Sequence, residues 1–124
     1  MLECFVQLAR EGYEAAARGD FAVLSDLLDP DVQWHGGDPT DPGSCHNRQE
    51  ALEFMRQARG RGGIGELVEA VDAGDQVVVI LRPPGAGGGP AGLVANLSTF
   101  RDGKVVAMVH YSDPDAALAA AGAL

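Results

Sequence analysis

Cysteine is scarce in this sequence, which has two cysteines, Cys4 and Cys45, among 124 residues. Their separation fits no disulfide framework, so we expect free thiols in a reducing cytoplasm. Basic residues are also few: nine Lys and Arg stand against 18 Asp and Glu, which gives a formal net charge of −9. Because nucleic acids and anionic membrane surfaces both attract a basic protein face, this charge argues against either as a partner.

Long apolar runs are missing as well. No apolar stretch approaches the roughly 20 residues that span a bilayer, and the first residues lack the basic start of a secretory signal. The length predicts a single domain over residues 1–124, because domains of roughly 100–150 residues are the commonest. A hydrophobic content of 46% is ordinary for a soluble globular protein. Composition leaves the chemistry open.

Three segments have the spacing of amphipathic helices. Apolar residues recur at offsets of three and four over residues 2–18, 21–28 and 48–60. Asp20 suits the cap of the second helix, and Asn47 followed by Glu50 has the form of a capping box before the third. Asp113 and Pro114 fit the first positions of a short Ala-rich helix at the end of the chain.

Five stretches instead favour strands. They cover residues 32–35, 67–72, 76–82, 93–101 and 104–111. Turns at 72–75 and at Asp102-Gly103 join the later strands so tightly that they must pair antiparallel. The Gly-rich stretch 85–92 predicts a hairpin tip, since a phosphate-binding loop needs a Gly-Lys-Ser/Thr ending. Helices segregated against one antiparallel sheet define an α+β fold, whose concave face suits a small ligand.

Four segments resemble SnoaL-like proteins of the nuclear transport factor 2-like superfamily, which includes ketosteroid isomerases and polyketide cyclases. These are residues 13–21 (YEAAARGDF), 28–35 (LDPDVQWH), 101–106 (RDGKVV) and 113–118 (DPDAAL). The resemblance extends over essentially the whole chain. It implies a cone-shaped, curved antiparallel sheet with three main helices packed on it.

The resemblance also implies three catalytic positions. His35 stands where the isomerases hold a proton-shuttling carboxylate, and Asn96 stands where they hold an oxyanion-donating acid. His110 matches the acid/base aspartate of the cyclases, and strand alternation groups it with Val106 and Met108. An imidazole can exchange a proton near neutral pH, and an amide can donate to an enolate oxygen. We therefore expect His35 as the base, Asn96 as the oxyanion donor and His110 as a second acid/base. The alternative is that the histidines are hydrogen-bonded wall residues and that Asn96 satisfies a backbone group.

Five other residues are expected to line an apolar pocket or contact its ligand: Tyr13, Trp34, Phe54, Met55 and Arg82. The aromatic residues and Met55 are also ordinary core residues, and Arg82 has the alternative of extending to solvent. No cofactor is implied. No metal site is expected, because adjacent Cys45 and His46 with distant His35 match no zinc-ligand spacing.

Two functions are therefore open. The first is an isomerase- or cyclase-type enzyme that transfers a proton beside a carbonyl group. The second is a non-catalytic ligand-binding or dimerisation module of the same fold. In both, the partner is a small apolar or carbonyl-containing ligand, and the sheet face without helices predicts a homodimer.

Overall fold

The computed structural model describes residues 5–37, 40–60, 65–83 and 92–122. Its elements, in order, are α1 (Phe5–Arg18), α2 (Phe21–Leu27), β1 (Leu28–His35), α3 (Arg48–Gly60), β2 (Glu66–Ala73), β3 (Gln76–Arg82), β4 (Val94–Arg101), β5 (Lys104–Tyr111) and α4 (Pro114–Ala120). This order confirms the predicted α+β fold. Cys4 and most of the predicted hairpin tip at 85–92 lie outside the described residues. Within the described parts of the chain, every helix is too short or too polar to cross a membrane.

The strands form one curved sheet in the order β1-β5-β4-β3-β2. The three hairpin-connected pairs from β2 to β5 are antiparallel, as the short turns predict. Strand β1, however, lies parallel to β5. A parallel pair requires a long connection, and the chain between these two strands contains a helix and three strands. The antiparallel prediction therefore holds for all pairs except β1–β5.

Side-chain caps fix the starts of three helices, as predicted. At α2, the Asp20 carboxylate accepts a hydrogen bond from the Val23 N–H at 3.3 Å. The Asn47 side chain accepts a hydrogen bond from the Glu50 backbone N–H at 2.9 Å, and the Glu50 carboxylate accepts one from the His46 N–H at 2.7 Å. At α4, the Asp113 carboxylate accepts from the Asp115 N–H at 3.1 Å. These bonds satisfy N–H groups that have no partner within the helix.

Strand β1 begins earlier than the sequence predicts. It includes Leu28, whereas the predicted strand starts at Val32, and α2 accordingly ends at Leu27. Pro30 is tolerated within β1 because the strand lies at the sheet edge, where a missing N–H breaks no ladder. The pairing with β5 shifts register between Leu28 and Gln33.

The two hairpin turns differ in how well the sequence predicts them. Asp102 and Gly103 both have positive φ, at 53° and 77°, which is the geometry expected of an Asp-Gly hairpin. The turn between β2 and β3 is narrower than predicted. Asp72 remains in the β2 ladder, so Gly74 and Asp75 make the turn.

A bulge changes the inward face of β5. Thr99 pairs with Ala107 but Phe100 pairs with Val105, so Val106 is the extra residue. A bulge places two residues opposite one and shifts the alternation beyond it. On the sheet face that carries Met108, the next residue toward the start of β5 is therefore Val105 and not Val106. The predicted grouping of Val106 with Met108 and His110 is wrong for that reason.

Helices cover both faces of the sheet, to different extents. The larger core, on the concave side, contains buried residues from α1, α2, α3 and the strands. The smaller core lies on the opposite face, where Ala117 of α4 packs with Val78, Ile80, Ala95 and Leu97. The face expected to be free is therefore partly covered by α4.

Candidate functional site

A cavity of about 360 Å³ lies on the concave side at one end of the sheet. Its wall takes residues from the ends of β1, β3 and β5, from the start of β4, and from α3. Antiparallel pairing brings the end of β3 beside the start of β4 and the end of β5. The parallel pairing of β1 with β5 then adds Trp34 and His35 to the same place. Strand topology thus assembles this site.

Two aromatic residues form much of the apolar wall. The rings of Trp34 and Phe54 meet edge to face, with centroids 4.9 Å apart at 71°. Trp34 is buried, whereas Phe54 is 40% exposed although it is large and apolar. Aromatic surface that faces an open cavity offers contact area to an apolar ligand.

Charged residues are absent from the described part of the wall, which contains no Asp, Glu, Lys or Arg. It consists of Trp34, His35, Gly36, Gly43, Cys45, Phe54, Ala58, Leu81, Val94, Asn96 and His110. A charged ligand would lose its hydration here without gaining an opposite charge, which is costly. The described part of the wall therefore offers no charged side chain to pair with a charged ligand.

A chain of polar groups enters the interior from this cavity. Asn96 and His110 are direct cross-strand partners, and the His110 Nδ1 lies 3.3 Å from the Asn96 Oδ1. The Asn96 Nδ2 donates to the Tyr13 hydroxyl at 2.9 Å. Asn96 is only 3% exposed, so an unsatisfied amide would be costly. Its oxygen instead contacts His110 of β5, and its nitrogen donates to Tyr13 of α1.

The amide orientation decides the protonation of His110. Because the Asn96 Oδ1 can only accept, the His110 Nδ1 must carry the proton of that hydrogen bond. The His110 ring is exposed as a whole, yet partial burial lowers its pKa. A lowered pKa favours the neutral ring at pH 7. The Nε2 atom is then a lone-pair nitrogen, and among the described residues it has no hydrogen-bond partner.

Tyr13 is held as a neutral phenol. Burial raises its pKa to about 12, while hydrogen bonds with the side chains of Asn96 and Ser98 act in the opposite direction. Ser98 is itself buried. The polar side chains of His110, Asn96 and Tyr13 thus form a connected series, and Ser98 lines the same small void as Tyr13.

His35 lies apart from that series. It lines the cavity at the end of β1, but its Nδ1 accepts a hydrogen bond from the Gly37 N–H at 3.0 Å. In the ladder, Trp34 pairs with Met108 and His35 with Val109, so the two neighbours belong to opposite sheet faces. The structure therefore brings Asn96 and His110 together, while His35 stands at the rim.

The expected pocket residues divide between several places. Trp34 and Phe54 line the cavity. Tyr13 and Met55 line a separate internal void of about 30 Å³, together with Ser98. Arg82 is absent from the described walls of both and has an Nη1 atom 4.0 Å from the Glu66 carboxylate.

Cys45 is a wall residue that the sequence does not single out. It sits in an irregular segment without periodicity, and its place comes from an isolated bridge in which its backbone pairs with Trp34. Burial, with a smaller contribution from the Glu50 carboxylate, raises the pKa of its thiol. A raised pKa favours the protonated thiol, which is a poor nucleophile.

Metal-binding clusters are not found in the described residues: no group of three or more His, Cys, Asp or Glu side chains comes together there.

The family model for the SnoaL-like domain matches residues 9–108. The chain therefore belongs to the SnoaL-like domain family, as the sequence resemblance implies. No curated protein matches the sequence.

Solved structures share the fold at low identity. A candidate polyketide cyclase from Sinorhizobium meliloti is 17% identical, with a TM-score of 0.68 over 84% of this chain and 93% of that one. A nuclear transport factor 2-like protein of unknown function from Cytophaga hutchinsonii is 14% identical, with a TM-score of 0.68 over 94% and 96%. A de novo designed protein with a curved β-sheet is 18% identical, with a TM-score of 0.66 over 88% and 84%. Such neighbours establish architecture and leave function to the site.

Proposed function

We propose that the protein acts on an uncharged, largely apolar carbonyl compound and transfers a proton at the carbon beside the carbonyl group, as isomerases and cyclases do. One observation carries this proposal. In the wall of an apolar cavity, Asn96 engages Nδ1 of a His110 ring whose pKa is lowered, which leaves Nε2 as a free base.

The proposed step is a simple proton transfer. The lone pair of His110 Nε2 takes a proton from the carbon, and the C–H electron pair forms the enolate. The imidazolium then returns the proton to another carbon, or to the same one. A base with a pKa near the working pH both accepts and releases the proton readily.

Asn96 has a donor for the developing oxygen. Its Nδ2 carries two hydrogens, and Tyr13 accepts one of them. The second is the donor that we assign to the enolate oxygen, in agreement with the role expected from the family resemblance. A fixed donor in an apolar site stabilises such charge more than water does.

The non-catalytic alternative also has support. Among the described residues of the wall, Asn96 is the side chain hydrogen-bonded to His110, and Tyr13 already takes one of its two amide hydrogens. A single donor gives limited stabilisation to an enolate. It is nevertheless sufficient, with the Nε2 acceptor, to orient a bound hydroxyl or carbonyl compound.

The exchange of carbon-bound protons with solvent tests the proposal directly. We expect a panel of uncharged cyclic ketones in D₂O to lose its α-proton signals faster with the protein, as followed by proton NMR. His110→Gln should abolish the acceleration. His46→Gln is the matched control, because His46 lies outside the cavity wall and is exposed.

The same experiment separates the candidate bases. Loss of exchange in His35→Gln with retention in His110→Gln would assign the base to His35, as the family resemblance implies. Binding of the ketones without exchange in the native protein would favour the binding module.

We also propose a homodimer through the part of the outer sheet face beside α4. The partly buried Val71, Leu93 and Tyr111 border the small core there. Sedimentation at roughly tens of micromolar should show a dimer that Val71→Glu weakens, while a monomer at that concentration would overturn the proposal. The free Cys45 thiol supports the expected cytoplasmic location.

A further inference from the structure

We propose that His35 is a specificity-determining residue of the cavity: its Nε2–H donates a hydrogen bond to a second oxygen of the ligand, apart from the oxygen bound at Asn96 and His110. The inference rests on the proposed function for the place of the first oxygen. It deepens that function, because it requires a ligand with two separated hydrogen-bond acceptors.

The backbone fixes the tautomer of the His35 ring. Its Nδ1 accepts a hydrogen bond from the Gly37 N–H at 3.0 Å. A backbone N–H only donates, so Nδ1 is the nitrogen without a proton, and the neutral ring carries its proton on Nε2. The other tautomer would set two donors against each other. Unlike an amide or a hydroxyl, this partner has no second orientation in which it accepts.

The same contact favours a donor role for His35 over the role of base that the family resemblance implies. A base needs a free lone pair, and the one ring lone pair of neutral His35 is engaged by Gly37. The Nε2–H has no hydrogen-bond partner among the described residues. Because His35 lines the cavity, this donor is left for an oxygen of the ligand.

Strand order separates His35 from the polar pair. Strand β5 lies between β1 and β4, and Asn96 pairs with His110 whereas His35 pairs with the neighbouring Val109. Adjacent strands are about 4.8 Å apart, so the backbones of His35 and Asn96 are roughly 10 Å apart. This separation suits two oxygens at opposite ends of a ligand better than one shared oxygen.

Two uncharged ketones that differ in a single group test the assignment. Both are biphenyls with an acetyl group at one end. The first carries a methoxy group at the other end, and the second carries an ethyl group, which replaces the ether oxygen with a methylene. The rigid biphenyl holds its two ends at about the separation of His35 and Asn96. Fluorescence of Trp34, the only tryptophan, measures both affinities.

His35→Asn and His35→Gln separate the two ends of the ring. The short Asn side chain keeps an acceptor for the Gly37 N–H, as Asn does in turns, but lacks the far donor. The longer Gln side chain carries an NH₂ group near the place of Nε2. The ratio of methoxy to ethyl affinity should fall roughly threefold to tenfold in His35→Asn, as expected for one hydrogen bond, and be retained in His35→Gln. The exposed His46, outside the described cavity wall, provides the control His46→Gln, which should keep the native ratio.

Nitrogen–proton NMR of the ring checks the tautomer without a ligand. At a pH where the ring is neutral, we expect the His35 proton on Nε2; a proton on Nδ1, or a native affinity ratio in His35→Asn, would overturn the inference. A ratio that falls as expected in a protein without α-proton exchange would sustain the inference and refute the proposed proton transfer. Exchange with an unchanged ratio would do the reverse. Failure of both ketones to bind would overturn the inference together with the proposed ligand class.

Discussion

The concave side of the sheet has two halves that differ in how completely they are filled. In the closed half, α1 and α2 pack against β4 and β5 and leave a void of about 30 Å³. In the open half, between the end of β1 and α3, a cavity of about 360 Å³ remains. The same sheet thus provides a packed core and a binding site, and the covering helices make the difference.

One hydrogen bond joins the two halves. Asn96 lines the open half, whereas Tyr13 and Ser98 line the closed half. Close packing holds side chains in single conformations. The closed half therefore supplies the rigidity that the polar groups of the open half need, while the open half keeps apolar surface available to a ligand.

Truncation in the closed half should produce the largest loss of stability. Leu28 is fully buried and lines the small void. Leu28→Ala should lower the free energy of unfolding by about 3 kcal/mol, since the cavity left behind adds to the lost transfer energy. Urea unfolding measures this. A loss below about 1 kcal/mol would mean that the closed half is not close-packed.

The buried phenol should make the closed half sensitive to alkali. The Tyr13 pKa is about 12 when folded and 10.0 ordinarily, so the unfolded chain loses its proton first as the pH rises. The free energy of unfolding should fall between those values by on the order of 2 kcal/mol. Tyr13→Phe should remove this decrease, and Tyr111→Phe should retain it. Equal pH profiles for both variants would contradict the assignment.

Truncation in the open half should affect binding more than folding. Phe54 is exposed to the cavity and stacks edge to face on Trp34. Phe54→Ala should change the free energy of unfolding by less than about 1 kcal/mol and weaken binding of an uncharged aromatic probe roughly tenfold. Fluorescence of Trp34, the only tryptophan, reports both. A stability loss like that of Leu28→Ala would erase the distinction between the halves.

The smallest expected effect is a loss of stability at acid pH that arises from His110. Burial holds its pKa below 6.5, so the unfolded chain takes up a proton first as the pH falls below that value. The free energy of unfolding should therefore decrease over that range and be unaffected at higher pH. His110→Gln should lose this contribution, in contrast to His46→Gln. Direct titration of the ring by NMR would reveal a pKa at or above 6.5 if the prediction is wrong.

Local signals in the sequence predict most of the elements. The Asn47–Glu50 capping box and the Asp102-Gly103 turn act through neighbouring residues, and both occur where predicted. The start of β1 was missed because Pro30 indicates a break, although an edge strand accommodates it. The Val106 bulge was missed because alternation alone carries no information on an extra residue.

The candidate site was predicted in part. Asn96 and His110, which the family resemblance picks out, are cross-strand partners at the cavity. His35 lies outside their hydrogen-bonded series. Its position depends on which face of the sheet its side chain occupies at the end of β1. Its catalytic role, like those of the other two, stays a prediction.

The sequence by itself determined the α+β class, the helix caps, the tight hairpin and the family, because periodicity, capping and motifs depend on residues close together in the chain. Only the tertiary structure decided that β1 lies parallel to β5 and that the Tyr13 hydroxyl oxygen accepts a hydrogen bond from the Asn96 Nδ2, 83 positions away. Contacts between such distant residues depend on how whole elements pack against one another. Local propensity carries no record of that packing.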